Sequence, residues 1–395
     1  MTLRTSGFAT MLVLTMAYSS FTLFAFAVVA SDLQDEFDLS NLQIGLLGAA
    51  NTGVGGLFSL VAGPLTDRLG GRWAMTGVLT AAAIGGALAA MSQSYNALLA
   101  ALAVGGIAQG WGNPATNRAI ADGVAVAQRG LLTGIKQAGI QVGVFIAGFG
   151  MPAVTAAWGW RAGMWMLCGA SLATMLGLTL IADTKRSAAE HSEHKDAPTV
   201  ALPTYVYQVA MYGFLLGTIG GGMGRFLPLF AEEQVGLSPT LAGIVFGIGG
   251  LIAIPSRIGW GVLLDRGMST RQVLTICGVG GIITMALLLG AIDQRIGLLW
   301  VATLLAGVTL SSWNTAANVA MIREAKADAG RATGVLYLGF LFGITVGGPA
   351  VGWSIDRFDG YGPAWTASLI VCALGVVALA PAIGRLRQPA ASAAR

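Results

Sequence analysis

The chain has 395 residues, of which 55% are hydrophobic and only 10% charged, with a mean hydropathy of +0.73. Soluble domains carry about 25% charged residues, so a chain this apolar has too little polar surface to face water and must be solvated by lipid. The net charge of +4 comes without any basic stripe interleaved with aromatics, which excludes a nucleic-acid partner. Cys168, Cys277 and Cys372 lie singly inside apolar stretches, as small buried hydrophobes do. The two histidines, His191 and His194, sit together in a polar linker. No metal or cofactor is expected, and no nucleophile–base pair or phosphate loop marks an enzyme.

About 20 apolar residues cross a bilayer as a helix. In chain order the apolar runs predict spans near 8–30, 42–62, 74–91, 96–117, 131–152 and 163–182. A second set follows near 205–231, 240–263, 272–292, 297–319, 332–355 and 363–383. The first span follows Arg4 and ends in Val28-Val29-Ala30, as a signal peptide would, but its apolar run is too long for one.

The second set repeats the first. Asn41-Leu42-Gln43-Ile44-Gly45 has its counterpart near Leu241-Ala242-Gly243, and Gly63 to Arg68 returns as Gly261 to Arg266, an offset of 198. Asn113 and Asn117 return as Asn314 and Asn318 at an offset of 201, while Thr133-Gly134, Gly139 and Gly143 return 200 residues on. Matches in the same order point to two parallel six-helix halves, an all-α transporter architecture. The expected units are an N-terminal domain, 1–183, a linker, 184–203, and a C-terminal domain, 204–395.

Sixteen of the 22 basic residues fall at the termini or in loops after even-numbered spans; Arg161, Arg295 and Arg357 alone follow odd ones. The first odd loop is acidic, with Asp32, Asp35, Glu36 and Asp38. Lys/Arg excess marks the cytoplasmic side, so both termini and the linker are expected there, in a cell inner membrane.

The loop after the second span reads Gly63-Pro64-Leu65-Thr66-Asp67-Arg68-Leu69-Gly70-Gly71-Arg72, a degraded copy with Asp265 and Arg266 follows the eighth, and Trp158-Gly159-Trp160-Arg161 precedes the sixth. On these motifs, their positions and the repeat, the chain resembles the major facilitator superfamily over essentially its whole length. In this loop Gly63 is expected to let helices approach closely and Asp67 to favour positive helix ends. Arg68 and Arg72 anchor the turn, with Gly71, Asp265 and Arg266 sharing a gating or structural role. Gln109-Gly110 is present, but Gly106 stands where proton-coupled drug exporters of the superfamily carry an arginine. The glycine-proline motif of antiporters is poorly matched by Gly139, Gly143, Gly148 and Pro152. Drug/proton antiport loses support.

Three cations remain inside spans, Lys136, Arg225 and Arg257, and none of the 18 acidic residues falls clearly inside one. A charge in a membrane helix is costly and faces a cavity or a partner, so three cations without a carboxylate imply a missing anion. Lys136 and Arg257 fall at similar heights, and the resemblance implies that spans five and eight face each other across the central cavity. Arginine offers a bidentate fork for a carboxylate, lysine a compact titratable charge. Ile254-Pro255-Ser256-Arg257-Ile258-Gly259-Trp260-Gly261 is similar to span eight of monocarboxylate and oxalate transporters, where that arginine binds the carboxylate. Their other basic partner has no counterpart, since Leu336 and Tyr337 stand where the repeat mate of Lys136 falls.

Simpler roles stand beside these: snorkelling of Lys136 to the interface, a structural pairing of Arg257 with the nearby turn, and for Arg225 a salt bridge to Glu232 or guidance of anions inward. Asn113, Asn117, Asn314 and Asn318 suit helix packing or ligand contact. Superfamily position would place Tyr18, Tyr212, Trp313 and Tyr337 along the cavity. The expected function is transport of a small organic anion, a carboxylate, by alternating access of a monomer, with import favoured. Export of drugs or amphipathic metabolites is the alternative within the fold, and a membrane sensor or scaffold the alternative outside it.

Overall fold

A computed structural model describes residues 3–123, 126–180, 202–325 and 329–379. His191, His194 and most of the linker lie outside them. Every regular element among the described residues is a helix: α1 (Leu3–Val28), α2 (Ala30–Phe37), α3 (Asn41–Leu69), α4 (Gly71–Met91), α5 (Tyr95–Gly123), α6 (Val126–Trp158) and α7 (Trp160–Leu180) come from the first half. The second half forms α8 (Thr204–Glu233), α9 (Pro239–Asp265), α10 (Thr270–Ala291), α11 (Ile296–Val308), α12 (Trp313–Ala325), α13 (Ala329–Phe358) and α14 (Tyr361–Ala378). Ten stretches among the described residues are long and apolar enough to cross a membrane, with α5 and α7 between them in chain order. Inside lipid only helices satisfy every backbone N–H and C=O within one segment, which is why so apolar a chain folds this way.

Local signals set the helix starts. Ser40 and Gln43 form a capping box on α3, Ser269 and Gln272 one on α10, and Ser238 followed by Pro239 opens α9. Two expectations are corrected. The acidic stretch after the first span is not a loop but the helix α2. The tenth span is broken, α11 ending at Val308 and α12 starting at Trp313. The break follows from Gly307 and a hydroxyl run: Thr309 Oγ1 donates to Leu305 O at 2.7 Å, and Ser312 Oγ to Gly307 O at 3.0 Å. Such side chains compete with the helix's own ladder.

Call the end carrying α2 the acidic end and the one carrying Arg68 and Arg266 the basic end. The N-terminal half packs α3 and α4 on α5, and α1 on α6; the C-terminal half packs α8 on α13 and α10 on α14. The halves meet along two seams, α3 with α13 and α6 with α9. Both seams close at the acidic end. A Cβ on Gly45 would fall 2.6 Å from Gly348 O, and one on Gly243 2.6 Å from Gly148 O. Toward the basic end the same helices part: among the described residues nothing lies within 4 Å of a Cβ placed on Gly56, Gly63, Gly134, Gly259, Gly261 or Gly334. The molecule is therefore sealed at its acidic end and splayed at its basic end.

The Trp158–Arg161 element ties α7 to α2. Arg161 pairs with Glu36 at 2.6 Å and donates to Ser92 O at 2.8 Å, while Trp160 Nε1 donates to Glu36 at 2.8 Å. Arg161, with the Trp160 N–H, holds the Glu36 carboxyl below its ordinary range, whereas burial pushes Asp32 up.

The signature loop differs in detail from expectation. Gly63 faces open space, so it brings no helices together; the close approach belongs to Gly71, whose Cβ would run into Ala119. Asp67 pairs with Arg118 at 3.0 Å, and the start of α4 is capped by Asp122, which accepts from Gly71 N at 2.9 Å. In the repeat, Arg323 reaches Asp265 at a looser 3.8 Å, and both Arg68 and Arg266 are exposed.

Candidate functional site

Lys136 on α6 is wholly buried, at 0% exposure. Its Nζ donates to Asn113 Oδ1 and to Thr116 Oγ1, each at 3.0 Å, both on α5. Thr116 sends its own hydroxyl proton to Gly112 O at 2.7 Å, which frees a lone pair for the lysine. Among the described residues, two of the three ammonium donors are thus met by neutral oxygens and none by a carboxylate. Lys136 does not snorkel. Thr116 escaped the sequence reading, although its place one turn after Asn113 was a signal for it.

The second half shows what this position needs for packing alone. The repeat mates of Lys136, Asn113 and Thr116 are Leu336, Asn314 and Ala317. Leu336 and Ala317 are buried at 2% and 0% exposure, so the same junction closes there without a charge. In the second half this position is filled without an ammonium.

Arg257 on α9 is partly buried and reaches the break between α11 and α12. Its Nε and Nη2 both donate to Ser311 O, at 3.0 and 2.9 Å, and Trp260 Nε1 one turn further on donates to Val308 O at 2.8 Å. Carbonyls freed by the break would otherwise lie unpaired at membrane depth. The remaining donors of Arg257 are uncommitted among the described residues. Its expected structural pairing with the turn at Asp265 is not formed; the partner is the tenth-span break, which sequence periodicity missed.

Arg225 on α8 is buried, at 4% exposure, and makes no ion pair with Glu232. It points across the α3–α13 seam. Nη1 donates to Gly221 O at 2.6 Å, Nη2 lies 3.5 Å from Thr52 Oγ1, and Nε has no partner among the described residues. Gly48 and Gly348 make the slot it occupies, since a Cβ on either would meet the guanidinium stem. Beside it Thr345 Oγ1 donates to Thr52 Oγ1 at 3.1 Å.

The aromatic expectations divide. Tyr212, at 0% exposure, donates to Leu274 O at 2.7 Å and meets Trp313 edge-on at 5.6 Å, so both belong to the core of the C-terminal half and not to a cavity wall. Tyr18 and Tyr337 are half-buried, and Tyr337 Oη accepts from Asn318 Nδ2 at 3.2 Å. Asn318 also donates to Asn314 O at 2.9 Å, a helix-internal role; Asn117 is exposed. Gly106 is pinned against α3: its Cβ would fall 3.1 Å from Gly55 N, so an arginine has no room there.

Arg118 with Asp67 and Asp122, Arg161 with Glu36, and Arg323 with Asp265 form ion pairs at the two ends of the bundle. The three cations between them bond, among the described residues, to carbonyl, amide and hydroxyl oxygens. That set can bind an anion and offers no group for covalent chemistry.

Comparison with known proteins agrees with this architecture. The family model described as the Major Facilitator Superfamily matches residues 10–339. A bacterial homologue of the human lysosomal transporter Spinster, in an inward-facing and occupied conformation, superposes with a TM-score of 0.80 at 15% identity, over 97% of this chain and 98% of that one. A point mutant of the nucleoside transporter NupG gives 0.77 at 16% identity, over 96% and 100%. A D-xylose-proton symporter gives 0.76 at 16% identity, over 94% and 96%. The chain belongs to the major facilitator superfamily and is a multi-pass membrane transporter, not an enzyme.

Proposed function

We propose that this transporter carries a small organic anion, a carboxylate, across the inner membrane by alternating access. The observation that carries this reading is the buried Lys136, held among the described residues by neutral oxygens alone, at a junction that its repeat mate Leu336 closes without charge. A buried cation that packing does not need has a ligand to meet. Arg257 adds uncommitted guanidinium donors from the facing half, at a height near that of Lys136, and a bidentate fork suits a carboxylate. The resemblance of its span to monocarboxylate and oxalate transporters points the same way. Units 1–183 and 204–395 rock about the bound anion, and a cation contributed by each half lets it draw them together. The crowding at Gly106 tells against the drug-exporter alternative.

Transport by purified protein in proteoliposomes tests the reading. Labelled mono- and dicarboxylates are expected to enter, whereas a nucleoside, a pentose and an organic cation do not. Because no carboxylate lies mid-span to relay protons, anion/anion counterflow is expected to persist after the pH gradient is collapsed. Uptake of the neutral solutes alone would overturn the anion reading, and uptake that follows only an imposed pH gradient would overturn exchange.

The excess of basic residues at the splayed end supports a cytoplasmic placing of that end, which makes the conformation inward-facing. With both termini and the linker inside, a single cysteine replacing Ser192 is expected to resist impermeant thiol reagents in intact cells and to react after lysis. Ready labelling of intact cells would mean the opposite orientation.

A further inference from the structure

The two seams that seal the acidic end are built differently. On the α3–α13 seam, Asp356 in the last turn of α13 reaches the first turn of α3 in the other half. Its Oδ1 accepts from Asn41 N and Asn41 Nδ2, each at 2.9 Å, and its Oδ2 from Leu42 N at 2.7 Å. The next N–H, of Gln43, goes to the Ser40 hydroxyl at 3.3 Å. The orphan donors at the start of α3 are thus divided, one to its own cap and two to a carboxylate from the opposite half. A carboxylate at a helix N-terminus gains from charge-assisted hydrogen bonds and from the helix dipole together. Gly352, one turn before Asp356, lets the helices come close enough, since a Cβ there would run into Asn41 O.

The α6–α9 seam lacks the carboxylate and both of the donors that Asn41 supplies. At the 198-residue offset the mate of Asn41 is Pro239, which has no N–H, and at the 200-residue offset the mate of Asp356 is Ala156. That seam closes on apolar contact, Gly243 against Gly148 and Pro152, and Gly250 against Val144. The helix start there is capped from within its own half, the Ser238 hydroxyl accepting from Leu241 N at 3.4 Å.

We infer that Asp356 is a latch on the outer gate, a carboxylate that holds the acidic end shut by capping α3 from the opposite half and releases it when the carrier opens outward. Every bond the latch makes crosses between the halves, so each is lost on opening and replaced by water. Among the described residues the α6–α9 seam has no such bonds to break, and it serves as the hinge-like side. The inference needs the halves to separate at the acidic end but does not depend on what is carried.

Pulsed electron–electron resonance on the full-length protein in detergent tests it without reference to orientation or substrate. Spin labels go on cysteines replacing the exposed Asp35 on α2 and the exposed Trp353 on α13, with Cys168, Cys277 and Cys372 changed to alanine. The parent is expected to show chiefly the short separation. Asp356→Ala is expected to raise the ratio of long to short separations by about tenfold, the size of one charged hydrogen-bond set lost from one state only. Asp356→Asn, which keeps an acceptor but no charge, falls between.

Asn41→Pro provides a second variant that leaves Asp356 in place. It copies the Ser238-Pro239 start of α9, suits the first helical position, and removes two of the three donors. It is expected to shift the ratio in the same direction. Unchanged distances in monodisperse Asp356→Ala and Asn41→Pro protein would overturn the latch. An equal shift from Asp293→Asn, an exposed acid at the same end, would overturn it too, by making the effect one of general charge.

Discussion

Replacing Arg257 with glutamine is expected to weaken anion binding by at least two orders of magnitude while leaving the carrier folded. Removing one partner from a buried charged pair costs about 3–5 kcal/mol, and about 1.4 kcal/mol is a tenfold change in affinity. Glutamine is the informative choice because of what Arg257 also does. Its Nε and Nη2 satisfy Ser311 O at the break between α11 and α12, and a glutamine amide can still donate to that carbonyl. The variant therefore removes the charge and spares the break. Arg257→Lys keeps the charge and loses the planar fork, so it is expected to restore binding only in part. Arg295→Gln, exposed at the acidic end, serves as the control and is expected to leave transport unchanged. Equilibrium binding of a labelled carboxylate, with the thermal midpoint measured alongside, separates the roles. Normal binding by folded Arg257→Gln would remove the arginine from the site.

Lys136 permits a cleaner experiment, because the second half has already solved the same packing problem without it. The double variant Lys136→Leu/Thr116→Ala copies Leu336 and Ala317. Exchanging a buried charged group for apolar side chains of similar volume is often neutral or stabilising by about 1–4 kcal/mol. The thermal midpoint is thus expected to hold or rise. Carboxylate uptake is expected to fall by roughly tenfold to a hundredfold, the worth of a charge-assisted hydrogen bond of about 1.5–3 kcal/mol. A single Lys136→Leu change leaves the Thr116 hydroxyl without its donor against an apolar side chain and confuses the two effects; the paired change removes that hydroxyl with the lysine. Full uptake by the stabilised double variant would show that the ammonium is no part of the anion path. A drop in the midpoint would show that the halves are less alike here than their repeat implies.

The sequence by itself determined the class of the molecule. Low charge and long apolar runs admit only membrane helices, because lipid offers no partner for a bare peptide group. The repeat supplied the two-half plan, and subtracting the end charges singled out Lys136, Arg225 and Arg257. These are one-dimensional properties: hydropathy, spacing and count. What periodicity does not carry is which face of a span meets which neighbour. Tyr212 and Trp313 satisfy every sequence criterion for a cavity wall, yet they face each other inside the C-terminal half, with the Tyr212 hydroxyl committed to Leu274 O. Gly63 satisfies the criterion for helix contact and touches nothing, while Gly71, eight residues on, closes on Ala119. The tenth-span break was hidden because Thr309, Ser311 and Ser312 interrupt an otherwise apolar run without lowering its hydropathy enough to end it. Its consequence, a carbonyl for Arg257 to hold, exists only when α9 lies beside it. The Asp356 bond to the start of α3 joins residues more than 300 positions apart and, as the inferred latch, would exist in one conformation only. Tertiary structure decided these points because each depends on the distance between two helices, and a single chain in sequence has no such distance.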